Sequence, residues 1–415
     1  MKKRVVIIGG GIIGLCTAYY LQKEAAEIIV IDKSDFTSGA SYVNAGLITP
    51  SHIISLASPG IITKGIQWMF NSSSPFYVKP RLNYDFLQWS WLFKKSATSQ
   101  KVASSIPVIR DINLLSIRLY EEMKLDENFN FFYKHQGLLM LYKTDKAGEQ
   151  EWNVGKKAID CGLKVEHLSR KLLQEIEPTV NSTIKGAIHY LSDAHMTPHQ
   201  FMQQMKHFLI DKGVVFKENT EVEDFEIQSN VVSGLKTKNE FIKFDEVVIA
   251  SGSWSQQILK KLQINVPVQA GKGYRIDVTK PTKINIPSIL LEAKVAVTPM
   301  ENATRFAGTM ELGGINHTIN PKRVNAIANA AESYYNEIQI NEDDKTSAKC
   351  GLRPCSPDGL PYIGKLSNFS NVTVGTGHAM MGWSLGPATG KLISEVIYNK
   401  KTSMNINPFH VERFS

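Results

Sequence analysis

The sequence predicts an α/β protein: a Rossmann-like dinucleotide-binding domain with a mixed-sheet substrate domain inserted into it. Three observations lead there. Residues 5–32 read as strand, glycine turn, helix, strand and acid, with Gly9, Gly11 and Gly14 filling G-x-G-x-x-G and Asp32 closing the second strand. A second glycine-rich block, residues 375–390, precedes a helix near the far end of the chain. Between them, apolar alternation recurs at 268–278, 289–298 and 304–312 as it does in strands. Two ends that serve one cofactor leave the middle as an insertion. Segments 1–52, 185–262 and 345–415 are expected in the dinucleotide domain, and 53–184 and 263–344 in the substrate domain.

The opening unit has a physical logic. Gly9 makes the tight turn, Gly11 lets a pyrophosphate approach the backbone, and Gly14 lets helix pack on strand. The helix start, with Ile12 and Ile13 in its first turn, offers free N–H groups to phosphate. Asp32 is placed to accept from ribose hydroxyls, with Lys33 beside it. A secretory signal is the competing reading of Lys2-Lys3-Arg4 and the apolar run behind it. Such a signal needs neither a second strand nor an acid, and three clustered glycines suit its helix poorly. Further along, helices are expected at 107–124, 197–212, 325–338 and 388–398. A strand pair is expected at 129–142, and strands at 214–225, 230–238 and 244–250.

With 415 residues, 43% hydrophobic and 21% charged, the chain can bury the core of a two- or three-domain globular enzyme. Its four cysteines, Cys16, Cys161, Cys350 and Cys355, show no metal-binding spacing, so no metal site is expected and a reduced, cytoplasmic setting fits. After the first apolar run, no uncharged stretch is long enough to span a bilayer. The net charge of +8 permits a flavin dinucleotide, acidic lipid or RNA as partner. The lysines are scattered, and no RNA-binding module is visible, so no nucleic acid is expected. Segments 61–70 and 84–95 stand apart. Trp68, Trp89 and Trp91 with Lys64, Lys94 and Lys95 suit an anionic bilayer surface on the inner face of the membrane, or packing inside the substrate domain.

Five further places carry candidate chemistry. Ser41, Asn44, Ala45, Gly46 and Leu47 lie in a loop of small and hydroxyl-bearing residues whose backbone can meet phosphate or a flat ring. Val222 sits in a segment whose backbone can pair with an adenine edge, or that is an ordinary strand. Ser251 and Gly252 end the strand at 244–250. Arg353, in a turn-dense proline-framed segment, offers a planar fork for a carboxylate, unless it is a plain surface arginine. Gly377, Gly382, Trp383 and Ser384 open the last helix, where backbone amides could steady negative charge. His378 in that block reads as a hydrogen-bonded structural residue before it reads as a base.

Together these pieces resemble the FAD-dependent D-amino-acid oxidase superfamily, and within it the bacterial D-amino-acid dehydrogenase small-subunit type. The resemblance rests on Asn44-Ala45-Gly46, the block from Ser58-Pro59-Gly60 to Arg81-Leu82, Gly271-Lys272-Gly273-Tyr274, Ala307-Gly308-Thr309-Met310-Glu311, Gly351-Leu352-Arg353-Pro354, and Gly377-His378 with Gly382-Trp383. It implies a Rossmann-like FAD-binding domain, an amino-acid substrate, and hydride transfer from the substrate α-carbon to flavin N5. It implies Arg353 as the carboxylate binder and Tyr274 as a wall or hydrogen-bonding residue of the pocket. D-Proline and 4-hydroxy-D-proline are candidate substrates, and a membrane electron acceptor is the expected partner. Glycine oxidases carry an arginine where this chain has Met380, and sarcosine oxidases a flavin-linked cysteine where it has Gly351. An oxygen-using glycine or sarcosine oxidase stays open as an alternative, as does an RNA-directed flavoprotein acting on a modified tRNA base.

Overall fold

The computed structural model describes residues 2–60 and 76–414. The elements that bear on the site begin with β1 (Arg4–Ile8), α1 (Ile12–Lys23), β2 (Glu27–Ile31) and the single turn α2 (Ala40–Val43). Next come α3 (Tyr84–Ser96), α4 (Ser99–Asp126), α5 (Pro198–Asp211), β3 (Val215–Lys217) and β4 (Glu246–Ile249). They are followed by β5 (Gln269–Val278), β6 (Thr304–Leu312), α6 (Pro321–Tyr334) and β7 (Lys349–Cys355). The chain closes with β8 (Tyr362–Lys365), β9 (Val372–Thr376) and α7 (Gly386–Ile397).

One sheet runs β3-β2-β1-β4-β9-β8, parallel throughout except at the β8 edge. Its central strands are near-continuous runs of Val and Ile, as a parallel sheet covered on both faces requires. Val5 and Ile7 face one core, and Val6 and Ile8 face another. α7 returns to lie on α1 so closely that a Cβ at Gly390 would stand 2.4 Å from the Cys16 carbonyl carbon. The two glycine-rich ends of the sequence therefore meet in space.

The second sheet has nine strands. β7 pairs antiparallel with β5 from Gln269↔Cys355 to Arg275↔Lys349, and β6 lies on the other side of β5. β7 and the strand Gly186–Tyr190 thus belong to this sheet, although they fall within segments expected in the dinucleotide domain. The pairing decides it: β7 is held along its whole length by β5.

Several elements depart from the sequence pattern for local reasons. The expected strand at 214–225 is two strands, β3 on the first sheet and Val222–Gln228 in a separate three-stranded meander. α6 starts before the expected 325–338 helix, because Asn320 caps it and Pro321 suits the first turn. α4 starts at Ser99, capped by Thr98, and continues through Pro107. In α3, Trp89 is buried, and its Nε1–H donates to the Cys355 carbonyl at 2.9 Å. It is a packing residue, not an interfacial one. Trp91 is exposed, and Trp68 and Lys64 lie outside the described residues.

Candidate active site

β1, β4 and α1 converge on one glycine turn. Gly9 has φ +114°, and a Cβ there would stand 2.5 Å from the Ala250 carbonyl oxygen. A Cβ on Gly14 would stand 1.9 Å from the Gly9 carbonyl oxygen, so helix and strand touch through backbone alone. The start of α1 lacks a cap of its own. Its Ile12 N–H donates to Ser41 Oγ at 2.9 Å, which brings the second loop onto the helix N-terminus. Asp32 Oδ2 accepts from the Gly10 N–H at 2.7 Å, and its Oδ1 accepts from Ser34. Oδ1 also accepts from the Ser34 hydroxyl at 2.8 Å, so the lone pair left for a further donor is on Oδ2.

Gly9, Ile12, Asp32, Ser34, Ser41 and Ala250 line one continuous cavity of about 1590 Å³. That exceeds the range usual for small-ligand pockets and leaves room for a dinucleotide with a substrate. Gly11, Ile13, Lys33, Val222, Ser251, Gly252, Gly382 and Trp383 also line it. The Ser251 hydroxyl and the Trp383 Nε1–H are buried with no protein partner among the described residues, as polar groups kept for a ligand would be. Gly14, Ala45, Gly46, Leu47, Gly377 and Ser384 are not part of that lining. Some brace it: Asn44 Oδ1 accepts from the Gly46 N–H at 2.7 Å, and Ser384 Oγ accepts from the Thr49 N–H at 3.0 Å. His378 Nε2 meets Thr389 Oγ1 at 2.9 Å, and burial pushes its pKa down to about 3, so it stays neutral.

Arg353 borders the same cavity from β7. A Cβ at Gly273 would stand 2.2 Å from its Nη1, so the guanidinium lies in space that only glycine leaves. Arg353 Nη1 donates to the Thr309 carbonyl at 2.7 Å, the one hydrogen bond of this guanidinium among the described residues. Thr309 has φ +70°. A β-branched residue rarely adopts this conformation. It occurs where β6 slips register against β5, between the Lys272 and Tyr274 pairings. The bulge aims that carbonyl at Arg353 and leaves the other N–H groups of the fork able to meet a planar anion. Burial pushes the Arg353 pKa down from its usual value, as an unpaired cation in a low-dielectric wall should show.

Tyr274 is placed differently. It also borders the cavity, but it pairs with Cys350 and Gly308, on the alternate register from Arg353 and Gly271. Its hydroxyl donates to Glu311 Oε2 at 2.9 Å, and Glu311 in turn pairs with Lys272 and Arg323. The ring packs into the core of the large sheet.

Sequence pattern alone did not single out Thr309 or the full part played by Arg305. Arg305, on β6 and 3% exposed, forks onto Asp277 at 2.8 and 3.1 Å. Its Nη1 donates to the Asn44 carbonyl at 2.7 Å and the Tyr42 carbonyl at 3.2 Å. It ties the substrate sheet to the second cofactor loop. Arg275 shares Asp277, and burial brings both guanidinium pKa values down to about 9. The visible signal was an arginine directly before the apolar run Phe306-Ala307-Gly308.

The geometry defines a nucleotide-fold cleft with room for a dinucleotide and a buried arginine in its wall. Comparison with known proteins supplies the family. Residues 4–396 match the family model of the FAD dependent oxidoreductases (DAO), and the chain belongs to that family. It is an oxidoreductase, and its cofactor is FAD. It is similar to a protein named D-amino acid dehydrogenase from Helicobacter pylori, 31% identical over 95% of each chain. A protein of the same name from Granulibacter bethesdensis is 27% identical over 99% of this chain and 100% of its own. In fold it resembles glycine oxidase from Geobacillus kaustophilus, with TM-score 0.79 at 20% identity over 100% of this chain and 99% of that one. L-proline dehydrogenase from P.horikoshii gives TM-score 0.74 at 19% identity over 100% and 98%.

Proposed function

We propose that this enzyme oxidises D-amino acids at the α-carbon and passes the electrons to a respiratory-chain acceptor. The observation that carries the reading is the guanidinium of Arg353, seated over Gly273 and, among the described residues, bonded only to the Thr309 carbonyl. It would grip the substrate carboxylate with its free N–H groups. The names of the relatives, both D-amino acid dehydrogenases, support the D-amino-acid class and a dehydrogenase rather than an oxidase.

FAD, when bound, supplies the hydride acceptor. The α1 N-terminus, Gly11 and Ser41 would hold its pyrophosphate and Asp32 its ribose. Little protein acid–base chemistry is required, because the reacting amine needs only to be neutral, and its proton leaves to water. The substrate loses a hydride from carbon and a proton from nitrogen, and water hydrolyses the imino acid. Met380, exposed on the cavity rim, would give a side chain an apolar contact, which suits cyclic substrates such as D-proline and 4-hydroxy-D-proline.

The test is anaerobic bleaching of the bound flavin by D- and L-amino acids, N-methylglycine and cyclic imino acids. The reading expects D-amino acids to bleach fastest, with slow reoxidation by air and fast reoxidation by a quinone analogue. Bleaching by glycine or N-methylglycine alone, with rapid aerobic turnover, would instead establish the oxygen-using oxidase.

A further inference from the structure

α3 has two faces with different tasks. Its inner face, Trp89 and Phe93, packs with Met310, Cys355 and Ala379. Through the Trp89 bond to Cys355 it braces β7 two residues from Arg353. Its outer face carries large apolar side chains that are mostly exposed: Tyr84 is 73% exposed, Leu87 51% and Trp91 60%, and Leu82 just before the helix is 97% exposed. The spacing 84, 87, 91 puts the three helical residues on one stripe.

Such a patch calls for a partner, and its charge says which kind. Lys79, Lys94 and Lys95 are exposed around it. Lys95 Nζ sits 5.1 Å from the Trp91 ring centroid. The one acid of the helix, Asp85, is held by Lys260 at 2.6 Å. An apolar and aromatic stripe rimmed by exposed lysines matches an anionic bilayer surface, with rings at headgroup depth and ammonium groups at the phosphates. A second copy of the chain would set these lysines against one another.

We infer that the outer face of α3 docks the enzyme on an anionic membrane, with Leu82, Tyr84, Leu87 and Trp91 entering the interface. The inference deepens the proposed function, and rests on it for one point: the membrane would hold the electron acceptor. Docking itself depends on the surface alone. Because the same helix braces the Arg353 strand, its inner face ties the docked element to the wall of the substrate site.

The holoenzyme is floated with vesicles of phosphatidylcholine alone and of phosphatidylcholine with phosphatidylglycerol. The wild type should float with the anionic vesicles only, and salt should release it. Leu87→Ser with Trp91→Ser, and separately Lys94→Glu with Lys95→Glu, should each lower the bound fraction by about tenfold or more. Dye reduction by D-amino acids in vesicle-free solution should stay within about twofold of wild type. Absence of wild-type flotation, or equal flotation of the double variants, overturns the docking. A concentration-dependent dimer that the Leu87/Trp91 variant abolishes, without vesicle binding, shows that a second copy covers the patch and overturns it too. A failure of the dehydrogenase reading appears instead in the solution assay, whatever the vesicles do.

Discussion

Arg353 is held by what surrounds it more than by what it binds within the protein. Replacing it with Met should preserve fold and FAD while removing a charge-assisted contact worth roughly 3–5 kcal/mol. That corresponds to about two to three and a half decades in kcat/KM for α-amino acids. Arg353→Lys should restore only part, because a point charge cannot replace the fork. An Arg353→Met enzyme within about threefold of wild type would move the carboxylate site to Arg275 or Arg305. Gly273→Ala tests the seat itself. Its Cβ would occupy the space of Nη1. It should lower kcat/KM by about tenfold or more, mostly through KM, with flavin content unchanged. Arg305→Met should do the converse. By freeing the Tyr42 and Asn44 carbonyls it should raise the FAD dissociation constant by about tenfold or more in apoprotein titrations. A variant with wild-type FAD affinity would reduce Arg305 to a structural ion pair.

At the scale of elements, a close joint between helices is α1 on α7. Gly390→Val places branched carbons where Cys16 backbone already lies. Overpacking of this kind costs about 1–3 kcal/mol or more. The strain falls on the helix whose N-terminus faces the cofactor, so both the melting temperature and FAD retention should drop. Retained FAD with an unchanged melting curve would mean that the two helices part without consequence. Much of this level was readable in advance. G-x-G-x-x-G with Asp32 located β1, α1 and β2, and Pro198 at a helix start located α5. Asn44 and Arg353 stood out by residue type and company. The bulge at Thr309 did not, because a register slip arises between strands and leaves no period in either.

For the whole molecule, buried titratable groups set the pH response. Burial pushes His52 and His195 down to about 4 and His378 to about 3, from an ordinary 6.5. As pH falls from 6.5 toward 4, the unfolded chain takes up protons that the folded chain refuses, so stability is lost. Asp193, buried under Ser51, runs the other way. Burial raises it to about 7, so the folded chain keeps a proton that the unfolded chain releases between about 4 and 7. Burial also pushes His189 and His199 down and Glu151 up, so the histidines outnumber the carboxyls that oppose them, and the melting temperature should fall between pH 7 and pH 4.5. Asp193→Asn should be less harmful, relative to wild type, at pH 8 than at pH 5, since it removes a buried charge only where that charge exists. A flat melting profile, or an Asp193→Asn penalty that grows with pH, would contradict these assignments. Acid precipitation should also release FAD to the supernatant, because no thiol stands at Gly351.

The sequence by itself determined the α/β class, the nucleotide turn, the return of the chain to one cofactor, and the residue types of the site. Each is a local pattern: a period, a spacing, or a side chain that chemistry alone makes conspicuous. Tertiary structure decided which face each strand residue takes. Arg353 and Tyr274, read together from sequence, fall on alternate registers of the β5–β7 ladder, and Tyr274 turns its hydroxyl to Glu311. Trp89 and Trp91, two residues apart, become a buried brace and an exposed surface ring. The reason is geometric. A one-residue change of register inverts a strand, and a rotation of 200° separates residues two apart on a helix. Neither is fixed until the neighbouring element is in place.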